Sequence, residues 1–147
     1  MIRISVASPQ EVIALDYQGL KAAARTVLEG EGVAEAKVTL AFVDNPHIHR
    51  LNKQFLDHDK PTDVLTFPYS AAGAKKLEGE VVIGVEVAKE YAADRGHDVG
   101  LELVLYVVHG CLHLCGYGDT DKKSAAAMRA KEREYLVKLG LPDISGG

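Results

Sequence analysis

The segment from residue 98 to 115 constrains this chain more than any other. Leu101, Leu103, Val104, Leu105, Val107, Val108, Leu112 and Leu114 make it apolar on nearly every side. A helix of that kind is buried, so the rest of the fold must wrap around it. His109 and His113 interrupt the apolar surface, and buried polar groups need partners. Residues advance about 100° each along a helix, so these two histidines leave one face a turn apart and can reach a single ion. Gly116 suits the left-handed position that ends a helix, after which the chain can bring Asp119 to the same point. Two imidazoles and a carboxylate, with a fourth position left to water, describe a catalytic rather than a structural zinc site. A pair of hydrogen-bonded core histidines also satisfies the bare H-x3-H spacing. The following glycine and acid favour the metal reading. Gly110 costs such a helix about 1 kcal/mol relative to alanine; its expected use is close approach of another backbone or of substrate.

Cys111 and Cys115 do not enlarge the ligand set. Cys111 lies two residues from each histidine and so points away from them. Two cysteines four apart are no disulfide framework, and both are expected to be reduced core residues. With 147 residues, 47% hydrophobic and 26% charged, the chain has the size and balance of one soluble domain. No apolar run approaches the roughly 20 residues of a membrane span, and the first ten residues lack the pattern of a signal peptide. A cytoplasmic protein is expected. The net charge of −4 argues against a broad basic face for nucleic acid; an RNA substrate would need a local groove.

Along the chain, residues 2–6 and 36–43 read as strands and 16–30 as a helix with Leu20, Ala23, Ala24, Val27 and Leu28 on one face. Asn45-Pro46 reads as a helix start with Asn45 as cap. Residues 57–63 form a loop, 64–68 a strand, 70–78 the least structured segment, and 80–85 another strand. Helices are expected at about 86–95, 98–115 and 121–139, with residues 139–147 a frayed tail. Strands early and helices late give one α+β domain over 1–147, a sheet of about four strands packed with about five helices.

The run from His109 to Tyr117, HGCLHLCGY, is similar to the HGxLHLxGY signature of the YbeY family of rRNA maturation factors. Leu51-Asn52, Phe55 and residues 59–68, DKPTDVLTFP, resemble that family's LN…kPTDVLSFP segment, and residues 79–84, GEVVIG, its GDIVIS strand. Met128, Glu132 and Leu136 match the spacing of its last helix. The blocks run in order from about residue 38 to 139. The resemblance implies a zinc-dependent hydrolase that cleaves single-stranded RNA, matures the 3′ end of 16S rRNA, serves ribosome quality control and binds the small ribosomal subunit. It implies a mixed sheet and a metal helix loosely like that of the zincin metalloproteases. Two departures stand out. The family's third histidine is replaced by Asp119, which leaves the site one positive charge poorer, so that Mn²⁺ or another divalent ion could compete with zinc. An arginine of the family is replaced by Leu56, leaving His58 or Lys60 to supply positive charge to a substrate phosphate.

A general base is not assigned: Asp63, Glu80 and Asp121 qualify by residue type, and Asp63 could instead cap a turn. Other histidines read as surface or structural residues, His47 and His49 near a helix start and His97 at a helix C-terminus. Three rivals remain. A peptidase lacks support because Gly110 stands where H-E-x-x-H has its glutamate. A non-catalytic ribosome-associated factor would retain the fold without turnover. An iron oxygenase shares the two-histidine, one-carboxylate set.

Overall fold

The computed structural model describes residues 1–56, 64–71, 74–142 and 144. Its elements are β1 (Ile2–Ala7), α1 (Tyr17–Gly30), β2 (Glu35–Val43), α2 (Asn45–Leu56), β3 (Val64–Pro68), β4 (Lys76–Gly84), α3 (Val85–Arg95), α4 (Val99–Leu114) and α5 (Lys122–Lys138). The sheet order is β1-β2-β4-β3. β1 and β4 both run parallel to β2, and β3 runs antiparallel to β4 along one edge. The sheet is therefore mixed, in an α+β domain with five helices among the described residues.

Alternation along the strands separates two cores. Ile2 and Ile4 of β1, Val38, Leu40 and Phe42 of β2, and Val81 and Ile83 of β4 face the main core with α1, α4 and α5. Ala41, Val43 and Val82 face the opposite way, where Ile48 of α2 closes a smaller cluster with Leu65. Period-two patterning produces this division, because successive side chains of a strand leave opposite faces. Burial on both faces also explains the near-continuous apolar runs of β2 and β4.

α4 lies at the centre, packed against α1, α3, α5, β3 and β4. Its position against the sheet requires a glycine. A Cβ at Gly110 would lie 2.4 Å from Cγ1 of Val81, and Val81 is itself fully buried. Gly110 thus admits a valine side chain, not a backbone or a substrate as the sequence suggested.

Other expectations change in detail. α2 is capped by Asp44 rather than Asn45: the Asp44 carboxylate accepts the His47 amide at 3.0 Å. The Asn45 amide donates to Glu86 instead, at 2.8 Å. Residues 76–78 belong to β4, not to a loop, because pairing with β2 extends the strand. Leu139, Leu141 and Ile144, within the expected tail, pack against the core. No helix among the described residues is long and apolar enough to cross a membrane.

Candidate metal centre

The centre is built from one helix and the turn that follows it. At the end of α4, Gly116 adopts φ 106°, a conformation that favours glycine. Its amide donates to His113 O and the Tyr117 amide to Leu112 O, both at 3.0 Å. This is a Schellman ending, which satisfies carbonyls that the helix leaves open. The reversal aims the Tyr117 carbonyl at Nδ1 of His113, 2.8 Å away. The Tyr117 hydroxyl donates to Glu31 at 2.8 Å, and Tyr135 donates to the same carboxylate. A short-range glycine signal thus fixes the orientation of a histidine.

His109 is oriented from α5. Its Nδ1 lies 2.7 Å from Oε2 of Glu132, a carboxylate only 6% exposed. A carbonyl oxygen can only accept, so His113 carries its proton on Nδ1. The Glu132 carboxylate favours the same tautomer of His109. Both Nε2 atoms then present lone pairs, and they stand 3.0 Å apart. Oδ2 of Asp119 lies 3.4 Å from each of them. In these tautomers three electron-pair donors converge, an arrangement suited to a cation. Vertices of a tetrahedron with zinc–nitrogen bonds of about 2.0–2.1 Å are about 3.3–3.4 Å apart, so the spacing fits such an ion. His109, His113 and Asp119 are the group of described residues that could hold a metal ion.

The cysteines stay outside this group. Cys111 is buried, and burial pushes its thiol well above the ordinary range. Burial also raises Cys115, to about 11. Neutral thiols in apolar surroundings are poor metal ligands.

A cavity of about 360 Å³ opens beside the cluster, with His109, Asp119, Glu132, Glu102, Arg95 and Arg129 among its walls. Glu102 is fully buried. It accepts from Nη1 of Arg95 at 3.2 Å and pairs with Nε2 of His97. His97 therefore serves a buried carboxylate through its side chain. Sequence reasoning passed over Glu102, although a lone acid within an apolar helix is itself a signal. It matched Glu132 by spacing without assigning it a role; the contact with His109 is what assigns one.

The base candidates fare differently. Asp121 caps α5, its carboxylate accepting the Ser124 amide at 2.8 Å. Hydrogen bonds from Ser124 hold it below the usual carboxylate range. Glu80 sits on β4 and is not among the described residues lining the cavity. His58, Lys60 and Asp63 lie outside the described residues.

Fold and site together define a class: a small α+β domain with a metal-competent cluster of two histidines and a carboxylate, set on its central helix beside an open cleft. The family model described as Endoribonuclease YbeY matches residues 5–140, and the chain belongs to that family. An Endoribonuclease YbeY from Pelotomaculum thermopropionicum is 40% identical over 129 residues, covering 83% of this chain and 85% of the relative. One from Geobacillus thermodenitrificans is 35% identical over 142 residues, covering 89% and 91%. The solution structure of TM1509 from Thermotoga maritima aligns with TM-score 0.66 at 28% identity, covering 95% of this chain and 89% of that one.

Proposed function

We propose that this chain is a zinc-dependent endoribonuclease that cleaves single-stranded RNA in the cytoplasm, acting in 16S rRNA 3′-end maturation and ribosome quality control on the small ribosomal subunit. The observation that carries the reading is the convergence of two Nε2 lone pairs and one carboxylate oxygen beside an open cavity. The family's name supplies the class of reaction. An ion held by His109, His113 and Asp119 would act as a Lewis acid on water and on a phosphate oxygen.

The chain's own residues prepare that chemistry. Glu132 and the Tyr117 carbonyl hold the two rings in the ligating tautomer before an ion arrives. Asp119 adds negative charge, which tempers the acidity conferred on water and broadens the range of divalent ions accepted. The apolar body of α4 keeps water from the rear of the site. A peptidase reading is disfavoured by Gly110, because any side chain there would strike Val81 rather than reach the cavity.

The test pairs metal with cleavage. Elemental analysis of the purified protein should find about one zinc per chain, falling sharply in Asp119→Ala and lost in His113→Ala. A single-stranded RNA should be cut by wild type and not by His113→Ala. No metal in the wild type, even after incubation with zinc or manganese, would overturn the reading in favour of a ribosome-bound factor without turnover.

A further inference from the structure

The chain is acidic overall, with a net charge of −4, which argues against a broad basic face for a polyanion. The cavity at the metal centre nevertheless has an arginine on each of two helices, Arg95 from α3 and Arg129 from α5. Their situations differ. Arg95 is committed through Nη1 to the buried Glu102, and its guanidinium lies 5.3 Å from the centre of the Tyr91 ring. These contacts fix its plane while its side chain stays 45% exposed. Arg129 is exposed, and no hydrogen bond or ion pair engages it among the described residues. It sits three positions before Glu132, hence on the same side of α5 and about one turn away. Glu132 in turn touches His109. An unengaged guanidinium thus stands one turn from the residue that orients a metal ligand.

We infer that Arg129, with Arg95 across the cleft, is the phosphate-binding element of this enzyme, gripping the RNA backbone beside the bond to be cut. The inference rests on the endoribonuclease reading above. Guanidinium matches a phosphodiester better than ammonium does, because its planar fork donates two parallel hydrogen bonds. Backbone contacts position a nucleic acid without reading its bases, so Arg129 sets affinity and register rather than sequence preference.

Arg129→Gln is the informative variant, since loss of Arg95 would strand the buried Glu102 carboxylate. Binding is measured by fluorescence anisotropy with a single-stranded 2′-O-methyl oligonucleotide, which closes the 2′-OH route, on protein kept in chelator, which closes the metal–water route. Wild type is compared with Arg129→Gln, Arg129→Lys and Arg3→Gln, the last making the same charge change on the edge strand β1. The expected result is about tenfold weaker binding for Arg129→Gln, alike for several sequences. The slope of log affinity against log salt should also flatten by about 0.7, the loss of one single-strand phosphate contact. Arg129→Lys should restore the slope and part of the affinity, and Arg3→Gln should match wild type. With cleavable RNA, Arg129→Gln should raise KM more than it lowers kcat. Unchanged affinity and slope in Arg129→Gln, with wild type cutting RNA normally, would overturn this inference and leave the proposed function standing. A wild type that neither binds nor cuts RNA would overturn both.

Discussion

Glu132 offers the sharpest probe of how this site is made. Its carboxylate lies 2.7 Å from Nδ1 of His109 and is almost wholly buried. Two effects act through that contact: the charge raises the basicity of the ring, and the hydrogen bond fixes its tautomer and orientation. Glu132→Gln keeps an acceptor in place and removes the charge. Glu132→Ala removes both and leaves a buried N–H unsatisfied, which costs about 1–3 kcal/mol. Partners of metal-bound histidines contribute about 10- to 100-fold in affinity, or roughly 1.4–2.8 kcal/mol at 1.4 kcal/mol per decade. The glutamine variant should fall near the lower figure and the alanine variant near the upper one. Competition for zinc against a chromogenic chelator at fixed pH reads this directly, with thermal unfolding of the metal-free proteins as a control for folding. A folded Glu132→Ala protein that binds zinc within threefold of wild type would refute the role of Glu132. Equal losses in the two variants would refute the orientational share of it.

Two further outcomes follow from packing and charge. Gly110→Ala places a Cβ 2.4 Å from Val81; overpacking of about 1–3 kcal/mol should exceed the roughly 1 kcal/mol gained in helix propensity. Urea unfolding should show net destabilisation, partly relieved when Val81→Ala is added, and strict additivity of the two changes would contradict the packing argument. Glu31 is pushed up by burial but pulled further down by hydrogen bonds from Tyr135 and Tyr117 and by the charge of Lys131, so it ionises below its ordinary value of 4.5. A depressed carboxylate stabilises the fold above that value, and the contribution fades as pH falls through the folded value. Wild-type stability should therefore drop more steeply than that of Glu31→Gln below about pH 4.5, and superimposable profiles would contradict it.

Much of this architecture was legible because its signals are local. Alternation gave β1, β-branched and apolar content gave β2, and a run ended by proline gave β3, each nearly to the residue, and Gly116 with the H-x3-H spacing gave both α4 and the turn bringing in Asp119. What stayed hidden depends on distant partners. Glu132 lies 23 positions from the ring it holds, and Glu31 lies 86 from the hydroxyl it accepts. Spacing rules reach a few helical turns and stop there. Gly110 was read as a place of approach, but only the register of β4 against α4 identifies Val81 as the neighbour. The cap of α2 went to Asp44, whose carboxylate reaches the His47 amide. The cleft has no linear signature, since its arginines come from helices separated by α4.

The two parts of the ligand set differ in how they can open. His109 and His113 ride on the central helix, packed against α1, α3, α5, β3 and β4, and amides in such a segment belong to the most protected part of a fold. Asp119 lies beyond the Schellman turn and is 40% exposed, nearer the end of the range where local opening costs least. As a candidate chelate, the cluster would have two fixed arms and one swinging arm. For an ion held by these three residues, Asp119 would be the ligand most able to let go, and the turn after α4 would set the residence time.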